Sequence, residues 1–371
     1  MKFTCTTKEI AAAVAAASKV VNVHTTVPVL SNILFTTQDG KIAVRATDLE
    51  LTLEQAFPAE VQEPGSVTVP ARLFSSFLAN LAPGALELSG SPTRVSVKVT
   101  RSNYDFHALP PDEYPPLPPA SSGVTFSLPV KSFRDAVTGT IFAASNEEAR
   151  GAVLMGTLLE VEGTTLRLVA TDGYRLAKYE LNLNESVSVH ERFIVPSRAL
   201  GEAARNLGNA ERVTLTALGT HSNQLRISAG DMTLTVRLVD GQYPNYGQVI
   251  PAKFDRSIQV NTEGLKGALK RAQLVAGDRA SMVKLAVTNH ILVVTASSDI
   301  SGNAYEELEV EQSGDDLTIA FNARYLVDIL DHIETPQTAI EFLGPLSPAA
   351  IRPAQTEQGS NLLYVLMPLR Q

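Results

Sequence analysis

The apolar positions of the chain change period in a fixed order, and the order occurs three times. An alternating run opens each round, at residues 2–6, 125–129 and 257–261, which predicts a strand. A stripe at i, i+3, i+4 follows over 8–20, 130–143 and 262–275, which predicts an amphipathic helix. Two further alternating runs flank a turn signal: 32–37 and 42–47 around Asp39-Gly40, 157–161 and 166–171 around Glu162-Gly163, 283–288 and 292–296 around Asn289-His290. A third strand is predicted at 50–55, 177–181 and 305–310. Each round then reaches a second helix and closes on paired strands: 94–99 with 104–109, 224–229 with 233–239, 350–353 with 362–367.

The second helix is marked by one phrase. Val69-Pro70-Ala71-Arg72, Val195-Pro196-Ser197-Arg198 and Phe321-Asn322-Ala323-Arg324 stand 126 positions apart, each followed by the same apolar spacing. An arginine in a first helical turn opposes the helix dipole, so local stability does not account for it. Its threefold recurrence points to three copies of one domain with a shared use for the charge.

Two proline-rich stretches, 109–119 and 240–251, cannot continue a helix or an inner strand. They divide the chain into three domains of similar length, at 1–122, 123–250 and 251–371. The expected fold class is α+β, with two antiparallel sheets and two helices in each of the three repeats. Such a row leaves open sheet edges at its two ends, and a head-to-tail partner would pair them and close a ring.

Composition narrows the class. The chain has 371 residues, 44% hydrophobic and 19% charged, as expected of a soluble globular protein. No apolar run approaches the ~20 residues of a membrane span, and the alanines at 11–17 read as a helix of the mature fold. The single cysteine, Cys5, excludes an intrachain disulfide and fits a cytoplasmic location. The formal net charge is −8, yet the six predicted helices carry eleven cations against six anions. That segregation suits a basic lining within an acidic shell. No base-reading signal accompanies it, so any contact with nucleic acid is expected to be with phosphates and salt-sensitive.

Candidate catalytic groups are few. Asp48, Asp172 and Asp299 recur after the predicted hairpins, but they belong to different repeats and read as turn acceptors. The histidines show no metal spacing, and no nucleophile elbow, phosphate loop or dinucleotide glycine pattern is present. No enzymatic activity, cofactor or metal is expected. Two segments break the repeat symmetry: Ala170-Thr171-Asp172-Gly173-Tyr174-Arg175-Leu176, and the C-terminus Tyr364-Val365-Leu366-Met367-Pro368-Leu369-Arg370-Gln371. Arg175 sets a charge beside an apolar anchor, and Met367 suits an adaptable binding surface.

These residues resemble the bacterial sliding clamps, the beta subunits of DNA polymerase III. The resemblance runs end to end and rests on Met1-Lys2-Phe3, Pro28-Val29-Leu30-Ser31-Asn32, Thr47-Asp48-Leu49-Glu50, Val69-Pro70-Ala71-Arg72, residues 170–176, Leu238-Val239-Asp240-Gly241 with Tyr243-Pro244, Phe321-Asn322, and 364–370. It implies a head-to-tail homodimeric ring of six similar domains around double-stranded DNA. The ring would tether the DNA polymerase III alpha subunit, and other DNA polymerases, ligase and mismatch-repair proteins through short linear motifs. A clamp loader complex would open it with ATP. The resemblance implies a partner-peptide pocket of Leu154, Thr171, Gly173, Tyr174, Arg175, Leu176, Pro244, Val249, Asn322, Tyr325, Leu346, Val365, Met367, Pro368, Leu369 and Arg370. It implies DNA contacts at Arg72 and Arg198, with Lys8, Lys131, Arg134 and Lys266 as weaker candidates, and a dimer interface at Tyr104, Phe106 and Leu274. Arg324, beside Asn322 and Tyr325, falls near the pocket.

The chain departs from the family pattern at several places. His24 stands where some relatives have a DNA-contacting arginine, and so weakens that contact at neutral pH. Gln248 replaces a basic residue at the pocket rim, Gln371 an apolar terminus. The loop at 150–154 is one residue longer, and 277–282 gives no pocket residue. Two other readings stand beside the clamp: a repeat-built protein-binding module that never encircles DNA, and an enzyme using the aspartate turns.

Overall fold

Each opening alternating run is a strand: Lys2–Thr6, Thr125–Pro129 and Arg256–Asn261. The computed structural model describes residues 1–22, 25–117, 123–218, 223–277, 281–355 and 360–370. His24, Gln371 and part of 277–282 lie outside the described residues. Helices follow the opening strands at Thr7–Ser18, Val130–Ile141 and Thr262–Ala276. The first starts at Thr7 because Thr6 and Glu9 form a capping box: each side chain takes the other residue's backbone N–H at 3.3 Å. Its alanines are explained by packing, since Ala13, Ala16 and Ala17 are buried with Ile10 and Val14. The marked arginines head the helices Ala71–Ala79, Ser197–Arg205 and Ala323–Leu330. Asn322 caps the last of these, accepting from the Arg324 and Tyr325 N–H groups.

The chain forms two compact units, Met1–Lys131 with Glu202–Leu238, and Ser132–Gly201 with Val239–Gln371. The first unit holds two sheets. A five-stranded sheet runs in the order Glu60–Glu63, Lys2–Thr6, Ala85–Ser91, Arg94–Val99, Ser102–His107. An eight-stranded sheet runs Thr125–Pro129, Arg212–Ala217, Gln224–Ala229, Met232–Arg237, Leu51–Pro58, Lys41–Thr47, Asn32–Gln38, Ser66–Pro70. The pairing of Met232–Arg237 with Leu51–Pro58 makes this sheet continuous across residue 122, whereas the sequence suggests separate sheets in each repeat. Between the sheets lies an aromatic core: Phe3 and Phe35 at 6.4 Å, Phe35 and Phe74 at 5.9 Å, Phe74 and Phe106 at 5.2 Å between ring centres.

The second unit is built on one ten-stranded sheet, in the order Gly156–Thr171, Arg175–Pro196, Ser360–Leu366, Ala349–Pro353, Gln337–Phe342, Arg256–Asn261, Gly302–Ser313, Ile291–Ser298, Met282–Thr288, Leu317–Asn322. In Gly156–Thr171 the register shifts on both sides of Gly163, at φ +57°, where the sequence predicts a turn. Residues 156–161 pair with 191–196, and 165–171 with 176–182. Leu265, Leu269, Phe321, Leu326, Ile329 and Tyr364 are buried in this unit's core. Gly314 is required there: at φ +85°, a Cβ would lie 2.3 Å from the Asp255 carbonyl oxygen.

Candidate functional site

The turn after Thr171 is built by its own side chains. Asp172 Oδ1 accepts from the Tyr174 and Arg175 N–H groups at 2.9 and 3.0 Å, and Gly173 adopts φ +88°. Thr171 Oγ1 donates to the Arg175 carbonyl at 2.6 Å and accepts from the Gly173 N–H at 3.0 Å. Asp48 does the same for Glu50 and Leu51 at 3.1 and 2.7 Å. At the third position the acceptor is Ser298, which takes the Ile300 and Ser301 N–H groups at 3.3 and 3.4 Å, so Asp299 does not share the role.

The C-terminal strand lies beside this turn. Arg175 pairs with Leu366 and Leu176 with Val365, and the Met367 N–H donates to the Tyr174 carbonyl at 2.9 Å. The two segments that break repeat symmetry are therefore neighbours. Between them opens a groove of about 160 Å³. Thr171, Gly173, Tyr174, Arg175 and Leu176 form one wall, Val365 and Met367 another, and Leu154, Pro244 and Val249 complete it. Its floor is apolar, resting on buried Leu158, Val169, Ile194 and Tyr243.

Two lining residues are absent from the sequence-based set, Asn245 and Tyr246. The available signal was the aromatic spacing of Tyr243-Pro244-Asn245-Tyr246 inside a linker. The Tyr246 hydroxyl donates to Glu160 Oε2 at 2.8 Å. Burial and the nearby carboxylate push this phenol up to about 12. Burial also pushes the Glu160 carboxyl up, but the Tyr246 hydroxyl, Arg192, His190 and Arg167 outweigh it and hold it below the usual glutamate value.

Arg175 is a strut as much as a lining residue. It is 9% exposed. Its guanidinium donates to Asp172 at 3.1 Å, to Asp328 at 2.6 Å and to the Phe142 carbonyl at 3.0 Å, and stacks over Tyr325 at 4.5 Å. Tyr325 does not line the groove. It lines a neighbouring polar cleft of about 220 Å³ with Arg324, Tyr174 and Arg150. Arg150 lies 4.5 Å over Tyr174 and donates to the Asp172 carbonyl at 2.8 Å. Asn322 serves as a helix cap, Leu346 is 69% exposed, and the Leu369 N–H donates to the Ala320 carbonyl. These three, with Pro368 and Arg370, are outside the groove lining. Gln248 is exposed at the end of the short helix Tyr246–Gln248.

The helix cations differ in their exposure. Lys8, Arg72, Lys131, Arg134 and Arg198 are exposed. Lys266 is half-buried and held by Glu263 at 2.7 Å and Asp331 at 3.4 Å. Arg271 is bound by both oxygens of Glu306 at 2.6 and 2.8 Å. The helix Thr262–Ala276 therefore offers less free positive charge than its lysine and arginine count suggests. Of the interface candidates, Leu274 is 80% exposed and Tyr104 40% exposed, while Phe106 is buried in the aromatic core. The strand Ser102–His107 is an edge of its sheet.

Comparison with known proteins agrees along the whole chain. Family models for the DNA polymerase III beta subunit match residues 1–118 (N-terminal domain), 127–245 (central domain) and 247–370 (C-terminal domain). The beta sliding clamp of Salmonella typhimurium is 33% identical over 349 residues, covering 93% of each chain. That of Pseudomonas aeruginosa is 32% identical over 353 residues, covering 95% of each. A crystal structure of the Pseudomonas aeruginosa DnaN sliding clamp bound to griselimycin superposes with a TM-score of 0.92 at 31% identity, covering 100% of both chains. The DNA polymerase III beta subunit structure from Thermotoga maritima gives 0.90 at 29% identity, covering 100% of this chain and 99% of that one. The chain belongs to the DNA polymerase III beta subunit family, the beta sliding clamps.

Proposed function

We propose that this sliding clamp encircles duplex DNA as a head-to-tail homodimer and holds replication and repair proteins through the groove beside Met367. The observation that carries the second half is the groove: two apolar walls and a positioned turn, open to solvent, assembled from the segments in which the three repeats differ. A short extended peptide with leucine and phenylalanine side chains fits such a surface. The DNA polymerase III alpha subunit, other DNA polymerases, ligase, mismatch-repair proteins and the clamp loader complex are the partners in view. The three-domain division at 1–122, 123–250 and 251–371, the cytoplasmic location and the absence of turnover belong to the same proposal. Among the described residues no helix is long and apolar enough to cross a membrane.

Sheet edges support the dimer. Among the described residues, Ser102–His107 has a neighbour on one side only, and residues 302–309 pair only with Ile291–Ser298. Leu274, Ile300 and Tyr305 are strongly exposed apolar side chains. Pairing the two edges between copies would satisfy open backbone groups and cover apolar surface.

Two outcomes test the site assignments. Met367→Ala weakens a fluorescent Gln-Leu-x-Leu-Phe peptide by roughly tenfold, the loss expected for truncating one groove anchor, while sedimentation still shows a dimer. Failure of this peptide to bind the unsubstituted protein would refute the groove assignment. For DNA, Arg72→Ala lowers the slope of log affinity against log salt by about 0.9 for each phosphate contact removed. An unchanged slope would remove Arg72 from the contact set.

A further inference from the structure

The eight-stranded sheet carries a cation that no other part of the account uses. In Gln224–Ala229, Leu225, Ile227 and Ala229 turn into the core, which leaves Arg226 and Ser228 on the opposite face. Register places Thr235 beside Arg226 and Thr52 beside Thr235; in the next row Thr233 lies beside Ser228 and Glu54 beside Thr233. These six side chains line a cavity of about 400 Å³, with Leu117 at its edge.

Arg226 is half-buried, and its Nε is fully buried without a hydrogen-bond partner. No ion pair joins it among the described residues. A buried donor left unmet is costly, and such groups call for an unseen acceptor. Glu54 is not that acceptor: Oε2 already takes Arg45 Nε at 3.0 Å and Nη2 at 2.7 Å, so its charge is offset. Four hydroxyl side chains line the cavity together with Arg226, and Thr235 among them is 5% exposed. A guanidinium fork with several hydroxyl donors matches an anion that has acceptors in more than one plane. One carboxylate, already paired, is a poor donor set for a metal cation.

We propose that Arg226, with the hydroxyls of Thr52, Ser228, Thr233 and Thr235, binds a phosphate-type oxyanion on this face of the sheet. The site shares no lining residue with the partner groove, and Arg226 is not one of the helix cations assigned to DNA. The anion is either free phosphate or the terminal phosphate of a monoester, since both present the same tetrahedral group.

Equilibrium dialysis of the full-length protein against radiolabelled inorganic phosphate, at fixed ionic strength in chloride, tests the site. The expected result is one saturable equivalent per chain, weakened roughly tenfold or more by Arg226→Met, in line with loss of a charge-assisted hydrogen bond. Thr235→Val gives a second, milder variant and weakens binding without removing the cation. Both variants keep the peptide affinity of the unsubstituted protein, which separates a lost anion site from a lost fold or a failed groove. Competition by deoxyadenosine monophosphate at lower concentration than phosphate identifies a monoester as the ligand; weaker competition identifies free phosphate. Absence of saturable binding, or equal binding by Arg226→Met, overturns the proposal.

Discussion

Phe74→Ala destabilises the Met1–Lys131 unit by about 4 kcal/mol, the usual cost of deleting a buried phenylalanine ring. Phe74 has no exposed surface, and three rings meet it: Phe35 and Phe77 at 5.9 Å and Phe106 at 5.2 Å. It sits on the helix that begins with Ala71 and Arg72, and Phe106 belongs to the edge strand Ser102–His107. The cavity therefore loosens the helix and the edge together. Hydrogen exchange should show protection lost first in this unit, and sedimentation should show a shift from dimer to monomer. A loss below about 1 kcal/mol, as for a tolerated volume change, would mean that the aromatic cluster does not hold the edge in place.

Arg175→Ala costs roughly 3 kcal/mol, the penalty for removing one partner of a buried ion pair. The change strands the Asp172 carboxylate, whose side chain is 11% exposed, and frees Asp328, which is 34% exposed and recovers part of its hydration. It also removes the stack on Tyr325. Peptide affinity falls with it, because the turn that carries Tyr174 loses its anchor. The comparison with Met367→Ala is informative, since that substitution reduces peptide affinity while leaving the unfolding midpoint nearly unchanged. Equal midpoints for both variants would show that the Arg175 network adds nothing to stability. Arg175→Lys should not restore the unsubstituted behaviour, because an ammonium cannot serve two carboxylates and a carbonyl in the same fork geometry.

The local parts of this fold are legible because they are written locally. Alternation marks Lys2–Thr6, the helical stripe marks Thr262–Ala276, and Asp48 and Asp172 announce turns that they go on to cap. Partner choice over long separations is not written that way. Nothing in the period of Met232–Arg237 says that it pairs with Leu51–Pro58, so the continuity of the eight-stranded sheet stays hidden. In the sequence Arg175 reads as a charge beside an apolar anchor, whereas its closest carboxylate is 153 positions away at Asp328. Counting cations on helices misses the carboxylates that reach them from other elements, as Glu306 reaches Arg271. Tyr246 was hidden for a related reason: it lies in a linker, and only folding brings it to Glu160. The groove was nevertheless foreshadowed, because the two segments that depart from the repeat are adjacent through Leu176 and Val365.

Topology gives the most direct measurement. The protein is incubated with nicked circular duplex DNA, a bacterial clamp loader complex and ATP, and the protein–DNA fraction is isolated by gel filtration at a salt concentration that abolishes simple phosphate binding. A clamp stays with the circle and leaves when one restriction cut makes it linear. Equal retention on circular and linear DNA contradicts encirclement, and the exposed helix arginines would then mark an ordinary electrostatic surface.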